Sequence, residues 1–284
     1  MTGGVNVVAV GRAVRFSANS VAKDEAILRA VAELTGARLL NEESLLADDL
    51  RGADVVLSMA RGKRALAFLS RCEADGALVV NSPEGVALCR RSSVEALMER
   101  EGIPLPPHEG PDGYWLKRGD EAAQGPGDVV YCTDREQLAR AVERFRSRGI
   151  SDMTVRAHVV GDLVKFYGVL APSGAAEGEG MFRVFYPGDD GMSKFGDEAR
   201  NGTPIHYAFS LGSLRADAER TARLTGVAVY GGDAIVRPDG SYGIIEFNDW
   251  PSFARCRTEA ARAIARLVRG GKDLNIKNVE TLKY

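Results

Sequence analysis

GGDAIVRPDGSYGIIEFNDWPSF, residues 231–253, reads as two strands folded around Pro238-Asp239-Gly240. Pro presets φ and Asp-Gly supplies the turn, so the two apolar runs meet as a hairpin. In this reading Asp233 begins one strand, while Glu246 and Asn248 end the other. Period-two alternation sends Glu246 and Asn248 to one face, and the turn returns Asp233 beside them. Three hard oxygen donors at the open end of a hairpin suit Mg²⁺, which shares its shell with substrate phosphates. A solvated hairpin end carrying acids explains the same residues, and spacing alone leaves both readings open.

Upstream of the hairpin, strands and helices alternate. Apolar runs at residues 5–10 (VNVVAV), 53–60 (ADVVLSMA) and 77–81 (ALVVN) read as buried strands. Helical periodicity fills residues 24–35 and 63–75, which stop at Gly36 and Gly76. The next helix opens on Ser82 as N-cap with Pro83 at the first helical position. This order implies a parallel α/β unit over residues 1–90. A helix at 92–101 leads into IPLPP (103–107), an extended linker and candidate domain boundary. Two strands, GYWLKRG and DVVYC, then flank EAAQGPG (121–127); an amphipathic helix (135–148) and the strand MTVRAHVV follow. LVKFYGVL (163–170) takes MFRVFYP (181–187) as an antiparallel partner, and residues 188–204 read as a surface loop. Helices at 214–225 and 260–269 flank the hairpin. The expected domains are 1–90, 91–160 and 161–284.

Composition narrows the function. The 284 residues carry a net charge of -2, which argues against a protein held mainly on nucleic-acid phosphates. Four scattered cysteines (Cys72, Cys89, Cys132, Cys256) form no CxxC pair, and with three histidines they leave no zinc signature. Reduced thiols in a cytoplasmic protein are the expectation. No apolar run is long enough for a transmembrane helix, and the first strand lacks the flanks of a signal peptide. The expected partner is a small anionic substrate, with no nucleic acid and no membrane; a homo-oligomer is admitted. Glycine, at 32 residues, is in excess, as turns and close backbone approach to a ligand require.

The hairpin resembles the metal-binding hairpin of the ATP-grasp superfamily, and the order along the chain agrees. NSPEGVALCRRSSVEALMEREGIPLPP resembles the helix pair before the nucleotide domain, YWLKRGD the strand with the first nucleotide-contacting lysine, and VRAHVVGDLVKFYGV the hinge and the basic strand after it. The resemblance spans residues 78–270. It implies an ATP-grasp fold of mixed α/β and α+β class: an N-terminal parallel α/β domain, a small lid, and a C-terminal nucleotide- and metal-binding domain. It also implies ATP and Mg²⁺ as cofactors, with Asp233, Glu246 and Asn248 on the metal. Lys117 would meet adenine and the α-phosphate; Gly125 and Gly127 would offer backbone N–H groups to phosphates. Arg156 and His158 lie in the hinge stretch, where Arg156-Ala157 replace the usual Gln-Glu. Asp162 would accept from ribose, and Lys165 would face the β- and γ-phosphates and assist catalysis.

Anion recognition falls to arginines and lysines. Arg255 and Arg257, in SFARCR, follow the metal strand, with Arg255 in a catalytic role. NSVAKDEAIL resembles the Lys-Asp helix start of prokaryotic glutathione synthetases, so Arg12, Arg15, Asn19 and Lys23 would hold an anionic substrate. Arg61 stands at another strand end, where open α/β sheets bind ligands. For the arginine pair and this loop, surface charge and helix capping by Asp24 are open alternatives. The implied activity is a ligase of the glutathione synthetase and ribosomal-protein-glutamate ligase kind. It would activate a small-molecule or peptide carboxylate as an acyl phosphate and join it to an amine or thiol. The runner-up is a kinase similar to ATP-grasp inositol polyphosphate kinases, and a third reading is a nucleotide-binding module without turnover.

Overall fold

The computed structural model describes residues 5–17, 20–120, 125, 127–172, 180–187, 189 and 198–269. A parallel sheet in the order β2-β1-β3-β4 opens the chain: β1 (Val7–Gly11), β2 (Arg38–Asn41), β3 (Val55–Ser58) and β4 (Leu78–Val80). β1 and β3 are buried on both faces, as a parallel sheet between helices requires. β2 is a strand that the sequence reading missed. It is an edge strand with Leu39 46% exposed, so it lacks the apolar run that marks its neighbours. Two helices cover this sheet, α1 (Val21–Thr35) and α2 (Lys63–Ala74). α1 buries Ile27, Leu28 and Val31 and ends where Gly36 turns left-handed.

The NSP motif has a mechanical role. The Asn81 amide donates to the Val229 carbonyl (2.7 Å) and accepts from the Val229 N–H (2.8 Å). A side chain thus completes both backbone bonds of a residue 148 positions away. Ser82 accepts from the Gly85 N–H (3.0 Å) and caps α3 (Pro83–Leu88), with Pro83 in its first turn as expected. α4 (Arg91–Arg100) follows. Residues 103–107 are extended but are not a free linker. The Pro104 carbonyl accepts from Ile244 and the Pro107 carbonyl from Ala157, both at 2.8 Å, so the segment is hydrogen-bonded to two sheets.

β5 (Tyr114–Arg118), β6 (Val129–Cys132) and β7 (Met153–Ala157) form an antiparallel sheet, order β6-β5-β7, backed by α5 (Arg135–Ser147). Its own small core holds Leu116, Ala141, Phe145 and Ile150. The last sheet, order β11-β10-β8-β9, is antiparallel throughout: β8 (Asp162–Val169), β9 (Met181–Phe185), β10 (Val229–Val236) and β11 (Tyr242–Asp249). β9 pairs with β8 as the sequence predicts. α6 (Leu211–Thr225) and α7 (Arg257–Arg269) pack against it. One continuous core joins the first and last sheets, from Val7 and Ile27 through Phe166 to Trp250 and Ile264. Each such fully buried large apolar side chain contributes about 1.5–3 kcal/mol. Among the described residues no helix is long and apolar enough to cross a membrane.

Candidate functional site

The hairpin is longer than its sequence suggests. β10 starts at Val229, so Asp233 is mid-strand rather than at the strand's start. The glycines at 231 and 232 hid those first residues from a propensity reading; at Gly232 a Cβ would come within 2.4 Å of the Phe166 ring. In register, Asp233 lies opposite Glu246 on β11 and opposite Lys165 on β8, so the three form one row across the sheet. Lys165 donates to Asp233. Burial pulls the Lys165 pKa down, but the charge and hydrogen bond of Asp233 outweigh it, and the net shift is upward. Arg91, at the start of α4, donates to Glu246 at 3.1 Å.

A bulge follows the row. Between Asp233 and Ala234 the register slips, leaving Ile245 as the extra residue on β11. The Ile245 carbonyl accepts from Lys117 Nζ at 3.1 Å, which brings the lid-sheet lysine onto the acid row. Burial, and next the charge of Arg91, lower the Lys117 pKa, while Glu246, Glu95 and Asp233 act in the opposite direction. The Asn248 side chain makes no hydrogen bond among the described residues. Nor do three His, Cys, Asp or Glu side chains gather into a metal cluster among them. The set therefore has two opposed carboxylates and an amide oxygen. That fits Mg²⁺, which takes one or two carboxylates and completes its shell elsewhere.

Several sequence-predicted groups are engaged otherwise. Arg12 is not open to a substrate. It donates to the carbonyls of Met59 (3.2 Å) and Trp250 (3.0 Å) and to Asp24 (3.2 Å), and lies 3.8 Å from Asp249. Burial, then the charge of Arg61, pull its pKa down to about 10, and Asp249, Asp24 and Glu42 oppose the shift. Asp24 is thus a buried partner of Arg12 and not a helix cap. Arg61 grips Asp249 through Nη2 (2.5 Å) and Nε (3.3 Å). Both arginines fasten the loops after β1 and β3 to the end of β11. Glu42, just past β2, supports those loops, accepting from the N–H groups of Ala13 (2.8 Å), Arg61 (3.1 Å) and Gly62. A Cβ at Gly62 would lie 2.5 Å from its carboxylate oxygen, which would have to shift and loosen these bonds. Sequence reasoning missed Asp249 and Glu42, since nothing local marks a pairing across 188 residues or a carboxylate serving backbone N–H groups 19 and 29 positions away.

Asp162 is likewise not free for ribose. Its two oxygens accept from the N–H groups of Ile205 and Tyr207, each at 2.8 Å, and fix His206 between them at φ 63°. Arg156 turns to α4, donating to Glu95 and Glu99 at 3.2 Å each. His158 accepts at Nδ1 from Trp115 Nε1 (3.0 Å), and burial lowers its pKa. Arg255 donates to the carbonyls of Tyr186 (3.0 Å) and Pro187 (3.2 Å). Arg255 also lies 5.7 Å from the Phe185 ring centroid, and Phe185 pairs with Lys165 in register, so Arg255 stands at the same end of the sheet. Arg257 begins α7 with its Nε buried and without a hydrogen-bond partner among the described residues. Lys23 is exposed on α1. In the predicted phosphate loop, Gly125 N–H donates to Asp128 (3.2 Å) and Arg148 holds the Gly127 carbonyl (2.7 Å). Residues 121–124 and 126, like Asn19, lie outside the described residues.

A cavity of about 640 Å³ opens beside Glu246 and Asn248, with Arg15, Arg61 and Arg91 among its walls. The backbone is strained just past it: Trp250 (φ 36°) and Phe253 (φ 48°) hold left-handed conformations that bulky residues rarely adopt. Both side chains are fully buried, which fixes the strain in place. The burial of the Cys89 thiol raises its pKa, so the cavity holds no ready thiolate.

No protein-family model matches the sequence, and no curated protein does. Solved structures match over most of the chain. The ATP-grasp ligase PsnB, in complex with a minimal precursor, aligns at 15% identity and a TM-score of 0.56, over 93% of this chain and 100% of its own. The D-alanine–D-alanine ligase from Bacillus anthracis, solved with ATP, aligns at 10% identity and TM-score 0.60, over 94% and 98%. A RimK domain protein ATP-grasp from Sphaerobacter thermophilus aligns at 16% identity and TM-score 0.59, over 92% and 98%. With its three sheets in this order and these likenesses along nearly its whole length, the chain has the ATP-grasp fold.

Proposed function

We propose that the protein is an Mg-ATP-dependent ligase that activates a carboxylate as an acyl phosphate and joins it to an amine or thiol. The observation that carries this reading is the row Lys165–Asp233–Glu246, with Lys117 and Arg91 converging on it and the Asn248 amide uncommitted among the described residues. Two of the structures of like fold support it: the Bacillus anthracis ligase was solved with ATP, and a PsnB complex with Mg and ADP. Asp233, Glu246 and Asn248 would hold the metal, which when bound neutralises phosphate charge. Lys117 and Lys165 supply fixed positive charge to the phosphates, and Arg255 supports the same end of the sheet. A substrate carboxylate oxygen attacks the γ-phosphorus, and ADP leaves with the electron pair of the broken P–O bond. The amine then attacks the acyl carbon, phosphate departs, and the amine loses a proton. No side-chain nucleophile is needed; positioning and charge carry the rate.

The cationic cavity favours one further reading, a kinase for a hydroxyl of an anionic small molecule. One assay separates the two. ADP release is followed over acids paired with amines or thiols, and over polyols and their phosphates, with products identified by mass. A new amide or thioester is the expected result. A phosphate ester on oxygen would establish the kinase instead, and absence of ADP with every candidate would remove both.

A further inference from the structure

The cavity beside Glu246 and Asn248 has an unbalanced wall. Its carboxylates are each matched by a cation: Asp249 by Arg61 (2.5 Å), Glu95 by Arg156 (3.2 Å), Asp120 by Arg118 (2.6 Å) and Glu246 by Arg91 (3.1 Å). Arg15, Lys63, Arg64 and Arg90 also line it, and no carboxylate pairs with any of them among the described residues. These four come from three separate places: the loop after β1, the first turn of α2, and the junction of α3 and α4. α2 adds the positive end of a 12-residue helix, with no side-chain cap and no acid in its first turn. The chain as a whole carries a net charge of -2, so the cluster does not follow from basic composition. Gathered like charges repel, and an anion between them removes that cost. Arg15 and Arg64 are also braced, lying 4.7 Å and 5.4 Å from the Phe16 and Phe68 ring centroids.

We propose that this cavity seats the anionic body of the substrate, a small molecule with at least two anionic groups. One group reaches Glu246 and Asn248, and the others lie against Arg15, Lys63, Arg64 and Arg90. The naming of the occupant as a substrate rests on the ligase reading; the binding of a polyanion does not. The nucleotide's own triphosphate is the less fitting occupant. Lys117, Lys165 and Asp233, the groups assigned to it, do not line this cavity, whereas α2 and the loop after β1 do.

Calorimetric titration of the full chain, saturated with Mg²⁺ and β,γ-methylene ATP, tests this. The probes are triglutamate against triglutamine, for a carboxylate source, and fructose 1,6-bisphosphate against fructose, for a phosphate source. At least one polyanion is expected to bind about tenfold or more tightly than its uncharged counterpart, and to weaken as salt is raised. The arm that responds identifies the source. The double variant Lys63→Gln/Arg90→Gln changes only exposed side chains. It should lose about tenfold in polyanion affinity and melt at the wild-type temperature. Equal affinity of both polyanions and their counterparts, or a double variant that binds as wild type, overturns the proposal. So does competition between polyanion and nucleotide, which would give the cavity to the triphosphate. Intact polyanion binding without ADP formation from any acid and amine would sink the ligase reading alone.

Discussion

Glu246 and Asp249 lie three residues apart on β11 and serve different regions of the molecule. Glu246 keeps 34% of its side chain exposed and faces Asp233, Lys165 and the cavity. Asp249 keeps 4% and is held by two guanidinium groups from the loops after β1 and β3. Both are acids with arginine partners. One keeps a third of its side chain exposed on the cavity wall, which leaves it available to a ligand. The other is saturated and works as a fastener between two sheets. Burial, more than residue type, separates the site from its support.

Substitutions can break this contrast. Asp249→Ala leaves Arg12 and Arg61 buried without their shared acceptor. A loss of about 3–5 kcal/mol is expected in urea unfolding, and a loss below about 1 kcal/mol would show that the clamp is surface-like. Glu246→Gln acts the other way. Mg²⁺-dependent turnover should fall about a hundred- to a thousandfold, with stability within about 1 kcal/mol of wild type. Near-normal turnover in a folded protein would take Glu246 out of the mechanism.

The smallest effect is expected at His158, which is buried and makes no hydrogen bond to a carboxylate among the described residues. Burial lowers its pKa, and Arg200 adds to the shift against Asp112. As pH falls through 6.5 the unfolded chain takes up a proton that the folded His158 resists, so stability drops on the acid side. His158→Gln retains an acceptor for Trp115 and removes the titration. Its melting temperature should fall less than that of wild type between neutral and mildly acidic pH. Parallel curves would show that His158 does not contribute.

The hairpin was legible because its signals are local. Alternation set Glu246 and Asn248 on one face, and Pro238-Asp239-Gly240 set the turn. The strands β1, β3 and β4 and the cap at Ser82 were legible for the same reason. β2 was not, because an exposed edge strand needs no apolar alternation. Sequence alone makes Arg12 and Arg61 look like substrate ligands because charged residues at strand ends look alike, whether they face solvent or a distant acid. Lys63, Arg64, Arg90 and Arg91 escape a sequence reading for the converse reason. They sit in ordinary helical starts, and only the approach of α2 and α4 to β11 gathers them round one cavity.

The Asn81 bridge to Val229 has a consequence for motion. A backbone pair completed by a side chain, deep in a core shared by the first and last sheets, welds these two into one chassis. The Arg12 and Arg61 grip on Asp249 adds a second weld. The sheet β6-β5-β7 keeps a core of its own and reaches β11 through the Lys117 tether at the bulge. Releasing that tether together with the bonds from Arg156 and Thr154 to Glu95 of α4 would let it pivot like a jaw on a fixed frame, with the acid row stationary on the frame and Lys117 carried on the jaw.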